Sequence, residues 1–568
     1  MISWSIKRKI FFIISSLGFI CFIIALLPYV RILIISITEN YFLHRKLNDH
    51  DKWYNMMIFW FIHGILFSAI LMCCTIFWNK IKNNKILNDA LLSITSVNIM
   101  QFIKPVLIMF GIYALGISAI IRANFLYIDD IARSMYGFRF TDWSRYLSHF
   151  FSIFIHVDTR ISDISPLTQL IAAFIIAASS VLLVYIINDK KITKTALAAS
   201  LPIGLSPYFL ECFSWKFDSP YMALSVFVSI VPFIFIKNRL VFVITSITGI
   251  IIMCMTYQAA SGIYIIVVII LCFKSWNNRQ KTYHEILLFL VISVISYCSA
   301  LILFRIIYMR PSDIGYASTS IYPLPKLISG IVNNIIYYFN HVAYDFNIIW
   351  KALLMLLIIS FVIKSTFITK QKKLCVIFFN FAILILMAVL SLGIYIILDR
   401  QINNPRGMLG VGIFIAILGI YTSDSLKKVF AFPALILCWC FFVFSFSYGN
   451  SLAAQKTYEE FRKEMFIHDL AVLFPERSKE DKFVIQIFGW GGYAPIVSNV
   501  AVRNPVISRL VPMNFEDRGL WGPIAIRHYN INFQQFGGDI DESEFEQIFD
   551  SMYHTIKSDG ERVLVILK

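Results

Sequence analysis

Long apolar runs separated by short polar turns dominate the chain from residue 10 to residue 448. An α-helix needs roughly 20 apolar residues to cross a bilayer. Stretches of that kind lie near 10–30, 56–78, 102–121, 166–187, 196–212, 220–236, 240–256, 263–273, 286–308, 348–363, 375–398, 408–422 and 429–448, about thirteen in all. After 449 the pattern changes. Thr457–Phe474 repeats its apolar residues at helical spacing (Phe461, Met465, Leu470, Leu473), Lys482–Phe488 alternates as a strand, and Arg562–Leu567 is a second strand candidate. The pattern predicts an all-α polytopic membrane protein with a small extracytoplasmic α/β domain at its C-terminus. Its expected divisions are 1–101, an anchor and second span with a linker; 102–448, the polytopic domain with a large outer loop at 122–165; and 449–568, the tail.

Composition narrows the class. The 568 residues are 58% apolar and 15% charged, with a mean hydropathy of +0.72. Soluble domains carry about 25% charge, so a cytosolic enzyme is excluded, as are disordered and fibrous chains. The net charge of +16 is unevenly spread: residues 449–568 hold 13 basic and 17 acidic residues, leaving +20 on the rest. No basic stripe or recognition motif accompanies that excess, so nucleic acid is not an expected partner; membrane lipid is. The ten cysteines fall in or beside apolar runs, which implies neither a disulfide framework nor a metal site.

Basic residues in short loops set orientation. With the N-terminus inside, the loops bearing Lys80/Lys82/Lys85, Lys190/Lys191/Lys194, Lys237/Arg239, Lys274/Arg279/Lys281, Lys364/Lys370/Lys372/Lys373 and Lys427/Lys428 are cytoplasmic, and the tail emerges outside. Arg31, Arg45, Lys46 and Lys52 run against that order. The first span follows Lys7, Arg8 and Lys9 without a small-residue cleavage pattern and reads as an uncleaved anchor. Of the acids before 449, only Asp89, Asp189, Glu285 and Asp424 fall inside. The chemistry is expected at the outer surface.

Three outer constellations carry it. Ile121–Gln169 holds Asp129, Asp130, Asp142, Asp158 and Asp163 with Arg122, Arg133, Arg139, Arg145 and Arg160, and no lysine. Guanidinium binds phosphate in a planar, bidentate way and keeps its proton near lipid, and an ionised carboxylate at the membrane edge can deprotonate a hydroxyl. A purely structural reading has Asp129 and Asp130 capping a helix from Ile131, with Arg133 as an i,i+4 partner of Asp129. The second constellation runs from Ser206-Pro207 through Glu211 to Lys216 and Asp218; structurally, Lys216 would pair with either acid and Asp218 would cap the helix after it. The third, Asp399 to Gly407, carries Arg400 and Arg406, suited to an anionic headgroup or a leaving phosphate. Gly489-Trp490-Gly491-Gly492 reads as a turn, Asp539-Ile540-Asp541 as an acidic helix start, and His149 and His156 as interfacial packing.

The ordered set Tyr127-Ile-Asp129-Asp130-Ile-Ala-Arg133-Ser134, Gly137, Arg145, Asp163-Ile-Ser-Pro166, Ser206-Pro207-Tyr208-Phe-Leu-Glu211, Phe217-Asp218-Ser219 and Tyr257-Gln258-Ala259 resembles the serotype-converting O-antigen glucosyltransferase family over roughly 122–410. That resemblance implies a C-type glycosyltransferase fold in the bacterial inner membrane. It implies transfer of a hexose, glucose first, from a polyprenyl-phosphate-sugar donor to an O-antigen or similar surface glycan on the periplasmic side. It carries Asp129 or Asp130 as the base, Arg133 and Arg145 as supports for acid or phosphate, Glu211 and Asp218 as sugar or acceptor contacts, and Arg400 and Arg406 as binders of the lipid phosphate. No cofactor or metal is expected, and a donor synthase and a donor flippase become functional partners. A transporter or flippase would instead bury charge deep in its spans, where Arg305 is the one comfortable candidate. An O-antigen polymerase would favour an Arg-rich central loop, but 309–347 holds only Arg310 and Lys326.

Overall fold

A computed structural model describes residues 85–568 except 138–139, 141, 159, 310–312, 315–316, 319, 424–427, 479–480, 517–520 and 535–541. The chain divides into Met1–Val97 and Asn98–Lys568. Described residues of the first unit form the helix Lys85–Thr95; the expected spans near 10–30 and 56–78 lie outside the described residues, as does the acidic start at 539–541.

Among the described residues, eight helices in the second unit are long and apolar enough to cross a membrane, and the bent pair Lys194–Leu205 and Pro207–Ser214 makes a ninth if it is one span. Two shorter apolar helices, Met100–Gly116 and Ser219–Phe235, fall on the stretches expected near 102–121 and 220–236. Length does not qualify every piece as a crossing, and a proline breaks one of them. Pro207 stands at the first position of its helix, after an extended Ser206, and the chain turns by 58° there. A proline cannot donate to the preceding turn, so the break falls at Ser206 and leaves Glu211 on a short helix of its own.

Packing follows the apolar faces. Helix Leu409–Ser423 is apolar all round and buried from Leu409 to Thr422, as a helix without a polar face must be. Tyr283–Leu303 and Lys373–Leu390 instead present Leu287, Ile295, Phe378 and Ile385 outward. Backbones meet closely where glycine permits: a Cβ on Gly262 would lie 2.3 Å from the Leu390 carbonyl oxygen, and one on Gly410 2.0 Å from that of Ser391. Small residues are what allow apolar helices such an approach.

The expected domain boundary at 449 lies inside a single 42-residue helix, Phe432–Leu473. That helix carries the membrane part directly into the tail, and its end is the helix expected at 457–474. The tail sheet has the order Phe533–Gln534, Phe483–Phe488, Arg562–Leu567, His554–Ser558, Glu546–Asp550. Phe483–Phe488 runs parallel to both neighbours, and the last two pairings are antiparallel. Ile485, Ile487, Val563, Val565 and Ile556 bury against Phe466 and Leu470 of the long helix.

One arginine pins the tail to that helix. Buried Arg462 donates to the carbonyl oxygens of Gly491 at 2.7 Å, Tyr553 at 2.6 Å and Lys568 at 3.0 Å. Replacing it removes a charged donor from three carbonyls, of which that of Tyr553 keeps the Lys568 backbone N–H at 2.9 Å; each acceptor left buried without a partner costs about 1–3 kcal/mol. Arg462→Leu should lower the thermal midpoint and speed proteolytic cleavage within 474–568, measured on the full chain in detergent. An unchanged midpoint and cleavage rate would remove Arg462 as the pin.

Candidate active site

Helix Asp129–Tyr136 begins on the acid pair itself, not at Ile131. Ile128 before it has φ 45° and ψ −103°, a conformation that costs a β-branched residue about 1–3 kcal/mol. Gly137, at φ 68°, ends the helix by donating its N–H to the Arg133 carbonyl at 2.8 Å, the left-handed closure glycine suits. The eight-residue helix is thus held sharply at both ends.

The two acids have different environments. Asp130 is fully buried; its Oδ2 accepts the backbone N–H of Lys216 at 3.0 Å and of Tyr127 at 3.3 Å. Its Oδ1 has no hydrogen-bond partner among the described residues. Burial pushes the Asp130 carboxyl up to about 7, with the Arg133 charge and the two backbone N–H groups pulling the other way. The Asp129 side chain is 38% exposed and lies 3.9 Å from Arg133, the i,i+4 pairing expected.

Around them the charges interlock. Arg133 forms an ion pair with Asp218 and lies 4.5 Å over the Phe140 ring. Arg145 approaches the same carboxylate at 3.4 Å and the Tyr257 ring at 5.5 Å. Asp218 makes no side-chain cap to the helix after it; both arginines claim it instead. Lys216 goes to neither expected acid but to Asp163 at 2.8 Å and Asn124 at 2.5 Å. Glu211 accepts the Arg406 backbone N–H at 2.6 Å and lies 3.5 Å from its guanidinium. That guanidinium stacks 3.8 Å over Trp215, a contact between the second and third constellations that separation in sequence conceals.

Beside this network lies a groove of about 320 Å³. Arg145, Arg305 and Arg406 line it, with Trp143, Tyr257, Gln258 and Asn404 among its polar and aromatic residues and Leu301, Ile302, Phe304, Ile394 and Leu398 among its apolar ones. Among the described residues no Asp or Glu lines it. Ile302, 57% exposed, shares the helix face turned away from the protein. Three guanidiniums on an apolar groove suit an anion joined to an apolar chain. Arg305 is the residue that outer-loop reasoning undervalued. It sits on a π-turn, Phe304–Tyr308, at the end of an otherwise apolar helix; lone charges in such runs and π-turns are both enriched at functional sites.

The remaining residues sort plainly. Arg400 is exposed and does not line the groove, so the two arginines of the third constellation part company. Neither Asp129 nor Asp130 lines it; Arg133 and Asp218 connect Asp129 to Arg145. His156 stacks on Phe217, and Gly489 and Gly492 take positive φ in the expected turn. Among the described residues no group of three His, Cys, Asp or Glu could hold a metal ion.

Residues 118–423 match a family model described as glucosyl transferase GtrII. A protein of Salmonella phage P22, described as an uncharacterized 55.3 kDa protein in the gtrB 5' region, is 25% identical over 444 residues, which cover 73% of this chain and 88% of that one. No solved structure matches.

The Asp130 environment has a consequence for stability. A carboxyl raised in the folded state stabilises fully below its unfolded range and loses that contribution as pH rises through the folded value, here about 7. Wild-type protein should lose thermal stability between pH 5 and pH 8 relative to Asp130→Asn, which keeps an acceptor for both N–H groups and cannot ionise. Parallel pH profiles from melting in detergent would contradict the buried-carboxyl assignment.

Proposed function

Because this chain belongs to the glucosyl transferase GtrII family, we propose that it moves glucose from a polyprenyl-phosphate carrier to a hydroxyl of an O-antigen or similar surface glycan at the periplasmic face of the bacterial inner membrane. The observation that supports this reading is the groove with three arginines, an apolar lining and no carboxylate on its described wall. A polyprenyl phosphate offers the matching pair of features, a fixed anion and a long apolar chain. An extracytoplasmic enzyme has no nucleotide sugar at hand, so its donor arrives activated on lipid.

In this reading Arg145, Arg305 and Arg406 hold the phosphate, and their charge stabilises it as a leaving group. Glu211 and Trp215 fix the Arg406 guanidinium by an ion pair and a stacking contact. Asp218 orients Arg133 and Arg145 together. Asp129, the accessible acid of the pair, is the base; Asp130 is a positioning residue that ties the helix to the backbone at Lys216. The acceptor oxygen bonds to the anomeric carbon as the carbon–oxygen bond to phosphate breaks, the hydroxyl proton passes to Asp129, and the polyprenyl phosphate departs. One such displacement inverts the sugar carbon. A donor synthase and a donor flippase would have to supply the loaded carrier on this side.

Asp129→Asn should lower kcat by about 100- to 10,000-fold, the usual worth of a general base, with donor-lipid binding retained. Arg305→Ala should show the opposite split, with donor affinity falling first. Full turnover in Asp129→Asn would exclude it as the base. In the host, deleting the gene should remove one side-branch sugar and leave glycan chain length intact. Loss of chain length would point to a polymerase, and loss of whole repeat units at the surface to a flippase.

A further inference from the structure

A second cavity, of about 300 Å³, lies between the outer rim of the membrane part and the tail. One wall is the long helix with Lys456, Glu459, Glu460 and Lys463; another is His528 and Tyr529 after the tail helix Trp521–Arg527; the third is the rim, with Asn124, Ile131, Ser134 and Lys216. Its chemistry contrasts with that of the arginine groove. Each lysine has a carboxylate near it: Lys216 and Asp163 at 2.8 Å, Lys463 and Glu459 at 3.8 Å, Lys456 and Glu460 at 3.9 Å. All six residues line the cleft, so its formal charge cancels. It therefore favours no ion of either sign, yet offers donors and acceptors side by side, with an aromatic ring at Tyr529. Sugar hydroxyls, each both donor and acceptor, match that inventory.

Direct hydrogen bonds hold the walls of the cleft together. The tail is fastened to the rim by Tyr127 Oη to the Leu510 carbonyl at 2.8 Å, Asn514 Nδ2 to the Leu126 carbonyl at 3.0 Å and Arg527 Nη1 to Tyr136 Oη at 3.2 Å. These bonds bracket the helix Asp129–Tyr136. Two of its residues, Ile131 and Ser134, line the cleft, and the adjacent Trp215 and Lys216 face different sites: Trp215 stacks under Arg406 of the arginine groove, while Lys216 lines the cleft. At helical geometry Asp129 lies on the side of its helix away from Ile131 and Ser134. A sugar in the cleft is thus beside the acid-bearing helix without being the sugar that reacts.

We propose that this cleft binds a neutral stretch of the acceptor glycan flanking the residue that is glucosylated, making the tail an acceptor-length reader. The proposal rests on the transferase reading above. Binding energy won from a remote part of a substrate can be used to orient its reacting part, so acceptors long enough to fill the cleft should be preferred over a single repeat.

The test uses the full-length protein in nanodiscs, with oligosaccharides of one and of four repeats released from the lipopolysaccharide of the strain that carries the gene. Wild type should show a lower KM for four repeats than for one. In Tyr529→Ala and in Lys456→Ala that advantage should shrink by about tenfold, the scale of one or two lost contacts. Direct titration of the four-repeat oligosaccharide, followed by calorimetry, should show the same loss in both variants, and a polysialic acid oligomer of similar length should bind more weakly than the neutral chain. An undiminished length preference and unchanged titration in both variants would overturn the cleft assignment while leaving the transferase reading intact, and tighter binding of polysialic acid would overturn the neutral class. If wild type binds the oligosaccharide and the variants do not, but no glucose is transferred to either length, the cleft stands and the transferase reading falls.

Discussion

A guanidinium keeps its proton at any accessible pH, so an arginine drawn into an apolar rim is stabilised there by an anion or by a set of oxygen acceptors. That constraint organises this molecule. Arg133 and Arg145 share Asp218, Arg406 leans on Glu211 and Trp215, and Arg509 reaches buried Asp345 at 2.5 Å. The carboxylates stand behind the arginines, and the described wall of the groove carries none. A protein that surrounded its arginines with acid would have nothing left to offer a phosphate. Here the acids orient the positive charge and leave it facing the space where an anion can enter.

The same economy separates the two acids of the helix Asp129–Tyr136. Asp130 gives its exposure up to tie the helix to Tyr127 and Lys216. Asp129 keeps contact with solvent and with Arg133. The strained Ile128 and left-handed Gly137 hold the segment between them. Fixing a short helix so firmly holds the exposed carboxylate in one orientation, which the proposed role as a base requires.

The tail completes the arrangement without being an independent appendage. Helix Phe432–Leu473 enters it without a break, Arg462 fastens its sheet, and Arg509 reaches back both to Asp345 and to the Asn403 carbonyl, three residues before Arg406. The arginine loop and the acid-bearing helix are therefore each touched by the same C-terminal segment. The arginine groove and the neutral cleft are two chemistries on either side of Trp215-Lys216, suited to a charged lipid and an uncharged sugar chain.

Much of this was legible in the chain. Apolar runs lose too much by facing water to lie anywhere but in a membrane or a core, so the long apolar helices over 102–448 and the strands at 483–488 and 562–567 follow from periodicity, whereas helix Leu327–Asp345 falls in a stretch read as an outer loop. The concentration of acids and arginines in a few outer segments likewise marks where charge had to be reconciled with lipid. Other features depend on which residues meet, and local pattern carries no record of that. The short strand Phe533–Gln534 takes its place only by pairing with Phe483–Phe488. Arg305, a lone charge in sequence, joins Arg145 and Arg406 because three distant segments line one groove, while Arg400, near Arg406 in sequence, is left outside it. Burial alone, decided by packing of the whole chain, makes neighbours as alike as Asp129 and Asp130 into an accessible acid and an anchor.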